Sequence, residues 1–307
     1  MSPYTRLRTV RRATVTASAV LGACAALVIA GTGAASAGSG AVPGIRYVAL
    51  GDSFASGYGI TPVQDAGCGR GATNYPSVLR AVAQPQSYQN VACSGATTRS
   101  IWNAEGGEPK QISALKKDTN LVTVTIGGND IGFTELVTTC ATLGLRQPTG
   151  DPCRQTYKEG TADKILTRLD AVKSRFADVV TDVKRKSPEA TVALVGYPSL
   201  LPDSGKSCRS AQVPFADGDF QYLRNITVRL NRVLAEQARK AGALYIDTYT
   251  PSIGHDMCQS KKQRWIEPLF TEKGPSGGIA PAAAHPNLPG IISLGGTVSQ
   301  ALAKHMN

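Results

Sequence analysis

Leu121-Val122-Thr123-Val124-Thr125-Ile126 is an unbroken run of aliphatic and β-branched residues, cut off sharply by Gly127-Gly128-Asn129-Asp130. A run this short and apolar, bounded by glycine, reads as a strand buried on both faces. Val192-Ala193-Leu194-Val195, within Thr191–Val195, reads the same way, and Arg46–Leu50, Ser87–Ala92 and Leu244–Ile246 complete a set of β-rich runs. Helical patterns lie between them. Ile165, Leu169, Val172, Phe176, Val179 and Val183 form one apolar stripe of helical spacing, and Phe220, Leu223, Ile226, Leu230 and Leu234 form another that ends near Gly242. Strands alternating with helices predict an α/β fold whose parallel sheet is covered on both faces. Ligands of such sheets bind beyond the carboxyl ends of the strands, so the residues just after each run are where chemistry is sought.

After the first run stands Gly51-Asp52-Ser53-Phe54-Ala55-Ser56-Gly57, which lacks the glycine spacing of a nucleotide-binding loop. It puts Ser53 where a strand turns into a helix, beside free backbone N–H groups and a positive dipole end. Alone, such a serine is an ordinary N-cap. After the second run comes Cys93-Ser94-Gly95-Ala96-Thr97-Thr98, whose Gly95 backbone can approach a ligand closely. Asn129 follows the third and carries a side-chain N–H₂. Each is a turn by itself. Together they supply a nucleophile and neutral donors for a tetrahedral oxyanion. Asp52 and Asp130 read as structural, the first bonding backbone near this loop and the second capping the turn after Asn129.

A serine nucleophile needs a base, and the chain has three histidines: His255, His285 and His305. His305 lies two residues from the C-terminus, where chains fray. His255 sits beside Asp256, in a loop near Cys258. His285 lies in Ala284-His285-Pro286-Asn287, just ahead of a predicted terminal helix at about 290–304, and reaches best over the sheet edge.

With 42% hydrophobic and 18% charged residues in 307, the composition excludes a disordered chain, a collagen, a coiled coil and a multi-span membrane protein. Arg6, Arg8, Arg11 and Arg12, an apolar stretch from Ala13 to about Ala30, and Ala35-Ser36-Ala37 make residues 1–37 a secretory signal peptide by pattern. Residues 38–307 are then one domain, expected to be secreted, extracellular and monomeric. Loss of four arginines lowers the formal net charge from +11 to +7, and loss of Cys24 leaves six of the seven cysteines. No C-x-x-C spacing suggests a metal, so three disulfides are expected in the oxidising compartment. Six cysteines allow fifteen pairings. The short gap favours Cys140–Cys153, and sequential pairing would then join Cys68 to Cys93 and Cys208 to Cys258. Stretches near 140–160, 199–217 and 251–284 read as long loops, each carrying a cysteine. The Asn225-Ile226-Thr227 sequon falls inside a predicted helix and is discounted. No metal or cofactor is implied, and basic residues without interleaved aromatics argue against nucleic acid.

GDSFASG around Ser53, SGATT around Gly95, GGND around Asn129 and HPN around His285 occur in an order that resembles the SGNH (GDSL) hydrolases. The resemblance is closest to their secreted actinobacterial lipases and esterases, and it spans residues 51–287. It implies a flavodoxin-like three-layer α/β/α sandwich with a central five-stranded parallel sheet, the SGNH hydrolase fold. It implies hydrolysis of carboxylic esters through an acyl-serine, with Ser53 as nucleophile and His285 as general base and acid. The implied oxyanion hole is the N–H groups of Ser53 and Gly95 plus the Asn129 amide. The implied disulfides are sequential: Cys68–Cys93, Cys140–Cys153 and Cys208–Cys258.

The chain departs from the family where an aspartate stands three residues before the histidine, because Ala282 occupies that position. A Ser–His dyad is therefore expected, with the carbonyl of Ala282 or Ala283 accepting the His285 Nδ1–H, as in some members of the family, and Asp256 as the fallback. The expected substrate is a lipid or other acyl ester. The alternatives are a phospholipase A-type activity, a short-chain or plant-polymer esterase and, more remotely, a non-catalytic secreted binding protein. Phe54, Trp102, Leu200, Phe215 and Trp265 are candidate groove residues, and the positive charge favours an anionic lipid interface.

Overall fold

Val48 and Leu50 face one side of their strand while Tyr47 and Ala49 face the other, and each pair meets its own layer of helices. The computed structural model describes residues 44–202 and 208–306; the expected signal peptide, with Cys24, lies outside them. Five parallel strands form the central sheet: β1 (Arg46–Gly51), β2 (Ser87–Asn90), β3 (Leu121–Thr125), β4 (Thr191–Val195) and β5 (Leu244–Ile246). Their order is β2-β1-β3-β4-β5, with every neighbouring pair parallel. This is the flavodoxin-like order of doubly wound sheets.

Seven helices accompany the sheet among the described residues: α1 (Ser53–Ser56), α2 (Tyr75–Ala83), α3 (Phe133–Arg146), α4 (Pro152–Tyr157), α5 (Lys164–Lys186), α6 (Asp219–Lys240) and α7 (Leu288–Met306). Period-two alternation sorts them. Val122, Val124, Val192 and Leu194 pack with Phe176 and Val179 of α5 and Leu230 and Leu234 of α6. Ala193 and Val195 pack with Tyr75 and Leu79 of α2 and Leu294 and Val298 of α7. The polar members of β3 on that second face are not stranded: Thr123 and Thr125 hydrogen-bond the hydroxyls of Tyr47 (2.7 Å) and Tyr75 (2.9 Å).

The boundaries differ from the sequence expectation where side chains intervene. The second strand stops at Asn90 because the Asn90 side chain turns to accept the Ala92 N–H at 2.9 Å. α7 begins earlier than expected, where Asn287 Oδ1 accepts the Gly290 N–H. The stretch 140–160, expected as a loop, instead holds the end of α3 and all of α4. Threonines dilute the apolar stripe of α3, so its period is faint, yet Leu136, Cys140, Ala141 and Gly144 are buried.

Three disulfides tie the connections: Cys68–Cys93, Cys140–Cys153 and Cys208–Cys258. The first anchors the turn before Gly95, and the second joins α3 to α4. The end of β1 is clamped too. Gly51 takes φ 144, and a Cβ there would lie 2.4 Å from the Thr125 carbonyl oxygen, so only glycine lets the two strand ends close. Buried Gln111 accepts the Gly51 N–H at 2.7 Å and donates to the Gly51 carbonyl at 2.8 Å.

Gln111→Ala strands a buried N–H beside the candidate nucleophile, which costs about 2 kcal/mol. The measured thermal midpoint should fall, and an unchanged midpoint would show that the clamp carries no stability.

Candidate active site

The turn after β1 is built for a serine. Asp52 is the N-cap of α1, its Oδ1 accepting the Phe54 N–H at 3.0 Å, and Ser53 is the first helical residue. His285, 232 positions later, places Nε2 2.7 Å from Ser53 Oγ. The Nδ1 atom lies 2.8 Å from the carbonyl oxygen of Ala283. A carbonyl can only accept, so Nδ1 carries the proton and the Nε2 lone pair faces the serine hydroxyl. No carboxylate among the described residues hydrogen-bonds this imidazole.

The loop that presents His285 is held by its own backbone. The His285 N–H donates to the Ala282 carbonyl at 2.9 Å, so of the two expected carbonyls Ala283 meets the ring and Ala282 the main chain. The Ala284 N–H donates to the Glu267 carbonyl at 3.0 Å, and the Glu267 N–H donates to the His285 carbonyl at 2.9 Å. The rings of Phe54 and Tyr58 lie 5.0 and 5.1 Å from the imidazole. Burial pushes the His285 pKa below its ordinary value, an effect the Ala283 hydrogen bond partly offsets.

Ser53, Gly95, Asn129 and His285 line one cavity of about 420 Å³. Gly95 sits at φ 82. The N–H groups of Ser53 and Gly95 donate to no acceptor among the described residues. Asn129 Nδ2 donates one hydrogen bond, to the Ala96 carbonyl at 2.9 Å, and an amide nitrogen has a second N–H to give. From this polar end the cavity becomes apolar. Ile131, just before α3, lines it together with Phe133, Val137 and Leu145 of α3, Leu230 of α6 and Leu269.

Other candidates lie elsewhere. His255 stacks on Trp265 at 3.8 Å with Nδ1 2.6 Å from the Gln263 carbonyl, and His305 is exposed on α7. The Asp256 carboxylate accepts from the Cys258 N–H and the Gln259 amide within its own loop. The Asp130 carboxylate is not spent on the turn after Asn129: it reaches across to the Thr98 N–H (2.9 Å) and hydroxyl (2.5 Å). Of the five groove candidates, Phe54 and Leu200 line the cavity. Trp102 instead donates to Asp182, Phe215 is core, and Trp265 holds His255. Asp65, Cys68 and Glu108 have the spacing of a metal site, but the Cys68 sulfur is spent in its disulfide and Asp65 pairs with Arg70.

One residue escaped the sequence reading although the strand-end rule reaches it. Tyr197, two positions past β4, donates its hydroxyl to Asp52 Oδ2 at 2.5 Å and accepts the Gly128 N–H at 2.9 Å. It thus joins the neighbour of Ser53 to the neighbour of Asn129. Burial pushes the Asp52 pKa up to about 7, against the lowering effect of the Tyr197 hydroxyl and the Phe54 N–H.

Residues 49–290 match the GDSL-like lipase/acylhydrolase family. Lipase 2 of Streptomyces coelicolor is 36% identical over 294 residues, covering 94% of this chain and 95% of that one. The crystal structure of phospholipase A1 from Streptomyces albidoflavus NA297 superposes with a TM-score of 0.64 at 27% identity, over 85% of this chain and 99% of that one. The extracellular lipase of Streptomyces rimosus gives a TM-score of 0.66 at 25% identity, over 84% and 99%.

The folded state prefers Asp52 protonated, since its pKa of about 7 lies above the ordinary 3.8. Its contribution to stability is full below pH 3.8 and is lost as pH rises through about 7. Asp52→Asn removes this titration, so the midpoint difference between variant and wild type should shift in favour of the variant from pH 4 to pH 7. A difference constant with pH would contradict the assignment.

Proposed function

The chain belongs to the GDSL-like lipase/acylhydrolase family, and from that premise we propose that it cleaves lipid acyl esters through an acyl-Ser53 intermediate, driven by a Ser–His dyad. It is a carboxylic-ester hydrolase. The observation that carries the finer reading is the 2.7 Å contact of Ser53 Oγ with His285 Nε2 at the head of an apolar groove.

In the proposed reaction His285 Nε2 takes the hydroxyl proton as Ser53 Oγ attacks the carbonyl carbon. The oxyanion forms against the N–H groups of Ser53 and Gly95 and the Asn129 amide, which are already oriented and need no reorganisation. His285 then gives the proton to the departing alkoxide, and water repeats the sequence on the acyl-enzyme. The Ala283 carbonyl fixes the tautomer in place of a carboxylate. It supplies orientation without the negative charge that would stabilise imidazolium. Burial acts in the same direction: it disfavours imidazolium, and what it secures is that His285 rests neutral and able to accept a proton at neutral pH.

The groove supports a long acyl chain. From Phe133 to Leu145 the α3 wall extends about 18 Å at helical rise. A phospholipid is a second reading, supported by the similarity to a phospholipase A1 and by the basic balance of the chain. Secretion, with processing after Ala37, is supported by the pattern of residues 1–37 and by the three disulfides.

The test is an acyl-chain series of p-nitrophenyl esters, with triolein and phosphatidylcholine alongside. Each buried CH₂ adds about 0.8 kcal/mol, so esters of about eight carbons or more should outpace acetyl, and Ser53→Ala should hydrolyse none. Acetyl preference would contradict the lipase reading, and serine-independent turnover the enzyme reading. Asn129→Ala should slow turnover about 10²–10³-fold. His285→Ala should abolish turnover while His255→Ala keeps most of it. The activity needs neutral His285, so kcat/KM should fall as pH drops through a value below 6.5. An acid limb above 6.5 would reject a buried base.

A further inference from the structure

The wall of the Ser53 cavity ends at Ser94 and Gly95, and a second concavity of about 500 Å³ begins at the same two residues. At Gly95 a Cβ would meet no atom within 4 Å, so the saddle between the two is open. Their linings differ in chemistry. The groove beyond Ser53 is walled by Ile131, Phe133, Val137 and Leu145, whereas the second concavity is the more polar of the two, with Arg70, Gln89, Asn103, Lys110 and Lys116 in its wall.

Part of that polar lining is already committed. Arg70 donates to the Asn90 and Ala92 carbonyls and pairs with Asp65, and Glu105 accepts the Ser100 hydroxyl. The side chains of Gln89, Ser94, Asn103, Lys110 and Lys116 are different: they make no hydrogen bond or ion pair among the described residues. Asn103 and Lys110 are exposed and flank the tight turn in which Glu105 and Glu108 exchange backbone hydrogen bonds. Free donors around an open cleft suit a ligand rich in hydroxyl oxygens.

An ester carbon attacked by Ser53 bears three other groups. Its oxyanion belongs at the three N–H donors, and its acyl chain in the apolar groove. The alkoxide remains. The bond between the carbonyl carbon and the alkoxide oxygen breaks, the electron pair stays on that oxygen, and it takes the proton His285 received from Ser53. The open direction for the alcohol is over Gly95. We propose that the polar concavity beyond Gly95 holds the alcohol half of the substrate and selects a hydroxyl-bearing alcohol of the glycerol kind, with Asn103 and Lys110 as specificity-determining residues. This inference rests on the ester-hydrolase reading of Ser53.

Two esters with one acyl chain isolate the alcohol: 1-octanoylglycerol and ethyl octanoate. Wild type should favour the glyceryl ester in kcat/KM. The Asn103→Ala/Lys110→Ala double variant should lower the glyceryl-to-ethyl ratio about tenfold, mainly through KM, as expected for two lost hydrogen bonds. Ethyl octanoate turnover on the same preparation reports that the site is folded. A wild-type ratio near one, or a ratio the double variant leaves unchanged, overturns the subsite while leaving the ester hydrolase intact. Failure of wild type to hydrolyse either ester overturns both.

Discussion

The hydrogen bond from Ser53 to His285 joins the first strand of the sheet to the segment before its last helix, and the other features of the site follow from holding those two ends together. Ser53 is placed by the tight closure of β1 against β3 at Gly51 and by the Gln111 clamp. His285 is placed by a backbone ladder to Glu267 and by α7, whose Leu294 and Val298 pack beside α2 on one sheet face. Neither half is useful alone. The two-sided sheet is what converts a separation of 232 residues into 2.7 Å.

Behind that bond lies a buried polar chain. Asp52, Tyr197 and Gly128 link the turn bearing Ser53 to the turn bearing Asn129, so the proposed nucleophile and the proposed oxyanion donor share one scaffold. The Asp52 carboxyl beside Ser53 is thus used to hold backbone, and the imidazole is oriented by the neutral Ala283 carbonyl. A buried carboxyl that favours its protonated form is a stability cost at neutral pH. The cost is accepted at the site where geometry matters most, a common bargain in catalytic centres.

The sheet was largely legible in the sequence because strands buried on both faces leave continuous apolar runs, as in Leu121–Thr125 and Thr191–Val195. The long stripes of α5 and α6 were legible for a different reason, a single buried face that recurs at helical spacing. α3 was not: its buried face is made of small or ambiguous residues such as Cys140, Ala141 and Gly144, and its other side carries threonines. That omission hid the groove, since α3 supplies much of its apolar wall. Ser53 and His285 could be singled out because serine at a strand end and histidine anywhere are informative in a chain with three histidines. Every residue has a carbonyl, so nothing in the sequence distinguished Ala283 from Ala282; the fold of the loop does. Gln111 carries no local pattern at all, being defined by the two hydrogen bonds it makes to a glycine sixty positions away.

The proposed chemistry requires Ser53 to be activated by His285 without a carboxylate behind it. The direct measurement is covalent labelling by an alkyl fluorophosphonate, which phosphonylates only an activated serine, followed by peptide mapping. A single adduct on Ser53 is expected, formed at least about 10²-fold more slowly in His285→Ala, the scale of general-base assistance, and at a nearly unchanged rate in Asp256→Asn. An adduct on another serine, equal labelling of Ser53 without His285, or a collapse of labelling in Asp256→Asn would contradict it.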